Sequence, residues 1–324
     1  MYSAYTFEDA RSDNGVRARR GNWNTGMRSR FTDTTSVYGE ERYTHGDVPT
    51  GLTHAFGVDY TPDERWNFGA NIEAGVLEEK TTGAETDRKA VGLLAGYNFG
   101  AIVYSAALEY RTDTTESPDA STSERTTWLM KNNLKYQVDS DWRFLAKANF
   151  SESESTLGDL YSGNFAEVVM GYGYRPIDND RLNTLFKYTY FYNVPFGDLS
   201  STDPLTGQVV GSSNPVDFIQ KSHILSFDAI YDLTQRWSLG GKYAYRLGQL
   251  AQDRTDPDFF DSRASLYVLR ADWHFTHRWD AMVEGRLLDL PDAQDKKSGF
   301  LVGMYRHLGN NVKVGVGYNF TDFT

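Results

Sequence analysis

The sequence predicts an all-β fold: a transmembrane, antiparallel up-and-down β-barrel of about 16–18 strands, with short periplasmic turns and longer extracellular loops. Three observations point to this fold class. Apolar and polar residues alternate with a period of two along most of the chain. About seventeen such segments follow one another, joined by connections that are alternately short and long. Aromatic residues reach 15% while hydrophobic residues make up only 40%, an unusual mixture for a soluble core.

Residues 237–247 show the alternation clearly. Trp237, Leu239 and Tyr243 occupy odd positions, whereas Lys242 and Arg246 occupy even positions. Successive side chains of a strand point to opposite faces, so one face of this segment is aromatic and the other is small or charged. A helix, whose faces repeat every 3.6 residues, cannot use this pattern.

The same alternation predicts the remaining strands in chain order. They are 1–9, 19–32, 35–46, 50–61, 65–80, 86–99, 101–112, 124–138, 141–154, 163–176, 181–194, 219–233, 236–249, 260–275, 278–290, 297–308 and 311–321. The first three alternate least regularly. Every second connection is short, as at 139–141 and 234–236, and those between are longer and polar, as at 113–123, 195–218 and 250–259. Outer-membrane barrels have this layout.

Charge and composition exclude several classes of function. The 33 Lys+Arg against 44 Asp+Glu give a net charge of −11, so no nucleic-acid partner is expected. The absence of cysteine excludes disulfides, thiolate nucleophiles and cysteine-ligated metals. All apolar runs are far shorter than the about 18 residues of a spanning helix. No linker divides the sequence, which we interpret as a single domain, residues 1–324.

Four tight polar turns are each followed by tryptophan at the start of the next strand. An indole ring is most stable at a membrane–water interface, because its body is apolar and its N–H is polar. We therefore predict an aromatic girdle at one interface, made of Trp66, Trp142, Trp237 and Trp279.

The last part of the chain carries a sharper signal. Residues 299–323, GFLVGMYRHLGNNVKVGVGYNFTDF, resemble Gram-negative outer-membrane β-barrels, and in particular the C-terminal barrel domain of large multidomain surface proteins. The resemblance implies a location in the outer membrane of a Gram-negative bacterium. It also implies one more loop and a closing strand after Phe323.

Parity supports that closing strand, because seventeen strands cannot close an antiparallel barrel with both ends in the periplasm whereas eighteen can. As an alternative, residues 313–320 are themselves the last strand. One weak N-terminal segment is then not a strand, and the count is sixteen. We favour eighteen.

Once the aromatic face is assigned outward, the inward face is charged. The predicted pore-lining residues are Arg125, Lys131, Lys135, Arg143, Lys147, Arg175, Lys187, Glu73, Glu109, Glu167, Asp228 and Glu284. Cations cluster on predicted strands 8 to 11 and carboxylates lie mostly elsewhere, which predicts a transverse field across a water-filled pore. The alternative is that these charges pair across neighbouring strands and fill the interior.

These features favour a porin-like passive channel for small polar solutes that also anchors a larger surface protein. The alternative is a structural anchor or scaffold with a blocked or partner-filled lumen. Expected partners are outer-membrane lipid and other domains or proteins of the same assembly. The loop 195–217 could fold inward as a constriction or lie exposed on the surface. The carboxylates of 253–261 could bind calcium weakly or be solvated.

We expect no enzyme, cofactor or metal site. Ser222 and His223 are adjacent in a strand and therefore point to opposite faces, which separates a nucleophile from its base. His274 and His277 straddle a tight turn instead of sharing a face, which disfavours metal ligation. No nucleophile and base were found on a common face.

Overall fold

A computed structural model describes residues 1–11, 17–47, 49–80, 82–194, 201–202, 209–210, 218–308 and 312–321. This part of the chain is 80% strand. The long strands are β1 (Tyr2–Arg11), β2 (Arg17–Arg30), β3 (Thr35–Gly46), β4 (Thr50–Tyr60), β5 (Trp66–Glu79), β6 (Ala84–Phe99), β7 (Ile102–Glu116), β8 (Thr122–Gln137), β9 (Trp142–Ser155), β10 (Gly163–Tyr174), β11 (Leu182–Val194), β14 (Ile219–Asp232), β15 (Trp237–Ala251), β16 (Phe260–Thr276), β17 (Trp279–Leu290), β18 (Asp295–Leu308) and β19 (Val312–Thr321).

Four short elements complete the described structure. Strands β12 (Ser201–Thr202) and β13 (Val209–Val210) pair only with each other. The 3₁₀ turns η1 (Asp159–Tyr161) and η2 (Pro291–Ala293) lie in connections between long strands. No helix in the described ranges is long and apolar enough to cross a membrane.

The seventeen long strands form one antiparallel sheet in which each strand pairs with the next along the chain. The predicted fold class is confirmed. All three weakly alternating N-terminal segments are strands, each paired over ten or more residues with its neighbour, so the sixteen-strand alternative is wrong. The predicted eighteenth strand lies outside the described residues and stays a prediction.

The hairpin of β7 and β8 is longer than the sequence predicted. The apolar alternation stops near Arg111, yet the strands remain paired up to Glu116 and Thr122, so the predicted loop 113–123 shrinks to 117–121. Polar side chains continue the ladder, because Thr86 and Thr115 share a hydrogen bond of 2.9 Å between hydroxyls. The period of hydrophobicity therefore marks where a strand is apolar and not where its backbone pairing ends.

The two faces of the sheet have opposite polarity. On one face large apolar side chains are open to the surroundings, with Leu269 74% and Ile72 58% exposed. On the other face small and charged side chains are covered, with Ser153 1% and Arg88 4% exposed. A soluble protein distributes polarity the other way round. The arrangement fits an apolar solvent outside and a polar interior.

The edge strands β1 and β19 differ from the rest. Within the described ranges each has a ladder partner on one side only, β2 and β18. Residues 2–9 and 312–320 are exposed on both faces of their strands. Because the strands alternate in direction, β1 and β19 run the same way.

Neighbouring residues of β17 test the assignment of faces. Val283 lies on the apolar face opposite Ala271 and Val302, and Met282 lies on the inner face opposite Asp272. We expect V283R to lower the free energy of unfolding in lipid vesicles by about 2–4 kcal/mol, because a cation then faces hydrocarbon. The control M282R places its cation beside Asp272 and should cost clearly less. Equal losses in urea titrations would contradict the assignment.

Candidate functional site

The inner face of the sheet is the candidate functional site, because it gathers polar and charged side chains. Directly paired residues of neighbouring strands share a face, so the register fixes which residues point inward. Of the predicted pore-lining residues, those on inner-face positions are Arg125, Lys131 and Lys135 of β8, Arg143 and Lys147 of β9, Lys187 of β11, Glu73 of β5, Glu109 of β7, Glu167 of β10, Asp228 of β14 and Glu284 of β17. Their role in a pore stays a prediction.

Arg175 is placed differently from the other eleven. It follows the last residue of β10 and lies in the turn, where its Nε is 3.6 Å from the Asp180 carboxylate. Its side chain is 79% exposed. The residue therefore joins the two ends of a turn and does not sit on the strand wall.

Every predicted inner-face carboxylate has a cation beside it. Glu73 accepts from Arg42 at 2.7 Å, across the small, fully buried Ala55 of the intervening strand. The remaining pairs are Glu109 with Arg111, Glu167 with Lys147 at 2.8 Å, Asp228 with Lys242 at 3.2 Å, and Glu284 with Arg286 at 2.5 Å. Each of these five carboxylates is thus paired with a neighbouring cation.

Four inner-face cations have no such partner. Among the described residues no carboxylate lies within salt-bridge distance of Lys131, Lys135, Arg143 or Lys187. Arg143 instead donates from Nε to Gln137 Oε1 at 2.8 Å, a neutral acceptor. We call these four residues the basic lane. The transverse arrangement of opposite charges is therefore replaced by paired charges plus an excess of cations.

The inner face is hollow near the short turns of β8–β11 and β14. A cavity of about 980 Å³ lies there, lined by Arg143, Gly173, Leu185 and Asp228 among others. A β-carbon added at Gly171 or Gly173 would find its nearest neighbour at 3.5 or 3.7 Å, so crowding does not require these glycines. Their missing side chains leave the wall open instead.

The inner face is packed near the long loops of β6–β9. Arg88 donates from Nε and Nη2 to the two carboxylate oxygens of Asp113 at 2.7 and 3.0 Å, and both side chains are nearly buried. Thr127 and Ser153 share a hydrogen bond of 2.8 Å. Sequence reasoning missed the Arg88–Asp113 pair, because it placed Asp113 in the predicted loop 113–123. The β6–β7 register extends the strand through Asp113 and sets it opposite Arg88.

A contact between two distant loops bridges part of the long-loop rim. Arg254, between β15 and β16, donates to the carbonyl oxygens of Asp159 at 3.2 Å and Ser162 at 2.5 Å, between β9 and β10. Arg125 on the wall below donates to the carbonyl of Tyr161 at 3.3 Å. In the sheet order, β11 and β14 lie between the two bridged connections. The predicted constriction loop 195–217, which joins those two strands, lies outside the described residues apart from β12 and β13.

At the opposite end, Asp280 gathers three cationic or titratable groups. Its carboxylate contacts His274 Nδ1 at 2.8 Å, His307 Nε2 at 2.7 Å and Lys313 Nζ at 2.7 Å. These contacts connect β16, β18 and β19 to the start of β17. Within the described ranges no group of three His, Asp or Glu is placed to hold a metal ion.

Ser222 and His223 lie on opposite faces. Ser222 is 2% exposed on the inner face. His223 faces outward, where its Nδ1 is 2.8 Å from the Tyr188 hydroxyl. The two side chains therefore do not form a nucleophile–base pair.

The four girdle tryptophans lie at or next to strand starts beside the short turns, on the apolar face. Each packs against an aromatic ring at the same level: Trp66 on Tyr97 at 4.6 Å, Trp142 on Tyr174 at 4.7 Å, Trp237 on Trp273 at 5.2 Å, and Trp279 near Phe275 at 6.3 Å between ring centroids. Such pairs stabilise by about 0.5–1.5 kcal/mol beyond area burial. Their position at a membrane interface stays a prediction.

Comparison with known proteins identifies the fold and not the sequence family. No protein-family model matches the chain, and no curated protein matches it in sequence. Solved structures do match. The siderophore receptor PirA from Acinetobacter baumannii has a TM-score of 0.59 at 8% identity, over 98% of this chain and 62% of that one. The copper transporter OprC has a TM-score of 0.57 at 9% identity, over 98% and 61%.

A third similar structure is the FrpB iron transporter from Neisseria meningitidis, with a TM-score of 0.56 at 10% identity, over 98% of this chain and 63% of that one. The chain thus spans about three fifths of the length of these three structures. At such low identity the likeness concerns the fold alone. That fold is the β-barrel of Gram-negative outer-membrane proteins, in agreement with the predicted location in the outer membrane.

The Arg88–Asp113 pair gives a test of the packed half of the wall. We expect D113A to lower the free energy of unfolding by about 3–5 kcal/mol, because it leaves a buried guanidinium without its main anion. Asp87, which pairs with Lys89 at 2.7 Å on the exposed face of β6, supplies the control. D87A should cost less than about 1 kcal/mol. Similar denaturation midpoints for the two variants would mean that the inner pair is not desolvated.

Proposed function

We propose that this outer-membrane barrel is a passive channel for small polar solutes and the membrane anchor of a larger surface protein. One observation carries the channel part: polar and charged side chains occupy the inner face from the short turns to the long loops, while the outer face is apolar. A hydrated path along such a wall lets a solute cross without entering hydrocarbon. The anchoring part rests on the resemblance of residues 299–323 to barrel domains of multidomain surface proteins.

Two further features support a channel. The wall is hollow near the short turns, where the cavity lined by Arg143, Gly173 and Leu185 has room for water and small solutes. Two of the similar structures are named as transporters, of copper and of iron. We extend a transport function to this chain, but not the transport of copper or iron.

The long-loop rim supplies the narrow part of the proposed path. Arg254 holds the β15–β16 connection to the carbonyls around η1, and the wall beneath is packed around Arg88 and Arg125. A solute therefore meets a narrow polar mouth before the wider cavity. Such a mouth limits solute size.

The second candidate function is a scaffold whose interior is filled. The packed half of the wall favours it, because two nearly buried pairs, Arg88 with Asp113 and Thr127 with Ser153, fill the inner face there. A filled barrel anchors a surface protein without passing solutes. An open channel conducts ions and a filled scaffold does not, so a conductance measurement distinguishes the two candidates.

Single-channel recording in a planar bilayer separates them. We expect the purified, folded protein to give stable conductance steps at neutral pH. Folding and insertion are checked by heat-modifiable migration and protease protection in vesicles. A protein that is inserted but silent would exclude the channel and favour the filled scaffold.

The rim bridge yields a second test. We expect R254A to raise the conductance and to admit larger neutral sugars in liposome swelling, because two loop carbonyls lose their shared donor. Arg263 of β16, which pairs with Asp292 of η2 at 2.6 Å, supplies the control at the same end of the barrel. R263A should leave the conductance unchanged. If the two variants behave alike, the bridge does not define the mouth.

A further inference from the structure

The basic lane carries only positive charge, and the sign of this charge determines which ions would cross the channel. We propose that Lys131, Lys135, Arg143 and Lys187 make the channel select small anions, such as carboxylates and inorganic phosphate, over cations. The inference rests on the proposed channel function and deepens it by naming the class of solute.

The basic lane extends along the strands, in the direction in which a solute would cross the membrane. Arg143 lies opposite Gln137, and Lys131 lies six residues further along β8, which corresponds to about 20 Å along the strand. This is a large part of the about 30 Å hydrocarbon thickness. An anion moving along β8 and β9 therefore meets a cation at successive levels.

The lane is also broad. Lys135 and Lys187 lie in one cross-strand row with Leu145 and Gly171 between them. Three strand spacings separate the two lysines, or about 14 Å between their Cα atoms. The intervening Gly171 and Leu145 present no charge, so the two ammonium groups flank an open stretch of wall near the cavity.

The neighbouring carboxylates do not cancel the lane. Glu167 is engaged by Lys147 at 2.8 Å and accepts from Asn149 Nδ2 at 3.3 Å. Asp228 is engaged by Lys242. Glu167 and Asp228 thus each have their own counter-charge, whereas among the described residues the four lane cations have no carboxylate partner.

A wall with one sign of excess charge concentrates counter-ions of the other sign in a narrow aqueous path. The lane cations are half-buried or exposed, so they meet the aqueous phase. Their field reaches about 10 Å at 0.1 M salt and about 3 Å at 1 M. Selectivity should therefore be strong in dilute salt and weak in concentrated salt.

The test is the reversal potential of the intact chain in a planar bilayer under a potassium chloride gradient, repeated with potassium acetate and potassium phosphate. We expect the wild-type channel to prefer the anion at about 0.1 M salt and to lose most of this preference at about 1 M. The variant K131E/K187E should lower the anion-to-cation permeability ratio by about tenfold. The neutral variant K131Q/K187Q should fall between the two and guards against a folding defect in the charge reversal.

The matched control is K89E/K296E, because Lys89 and Lys296 lie on the outward face, about 70% exposed. It changes the total charge equally and should leave the permeability ratio unchanged. A conducting wild-type channel without anion preference, or equal shifts in lane and control variants, would overturn the inference and leave the channel function standing. Absence of conductance from inserted protein would overturn both.

Discussion

The structure depends on one constraint: every backbone N–H and C=O in an apolar solvent needs a partner within the protein. Antiparallel pairing of each strand with its chain neighbour meets this constraint along the wall. Once the ladder is fixed, the period of two assigns every side chain to one of two faces. Leu269 and Arg270 are adjacent, yet one meets the apolar side and the other bonds Asp272 at 2.7 Å inside. All further properties of the interior follow from that division.

The interior is not uniform along the strands. Near the long loops, short hydroxyl side chains and paired arginines cover one another, so Ser153 and Arg88 are almost inaccessible. Near the short turns, Gly173 contributes no side chain to the wall and lines a cavity. A glycine can also serve the opposite purpose. A β-carbon at Gly315 would lie 2.2 Å from the ring of Tyr305, so that glycine is needed to seat the ring.

The fold was predictable from the sequence because a single periodic signal carries it. All seventeen alternating segments became strands, including the weak ones near the N-terminus. The same signal put all the predicted lining residues except Arg175 on inner strand positions. The partner of each charge was not predictable, because it depends on the strand register and on the reach of the side chain across a strand. Arg42 contacts Glu73 two strands away, across the small Ala55 of the intervening strand. The Arg254 bridge, between residues more than ninety positions apart, carries no local signal.

The sign of the excess charge on the inner face also cannot be inferred from the net charge of the chain. The chain has a net charge of −11, which by itself suggests repulsion of anions. Many of its carboxylates, however, lie in connections or on outward positions, as do Asp63, Asp87 and Asp253. The predicted pore-lining carboxylates are engaged by arginine or lysine at close range. Over a Debye length of about 10 Å, an ion in a narrow path responds to the nearby unpaired charges and not to the total. An acidic protein thereby presents a basic interior, and the separation of the two is a property of strand register.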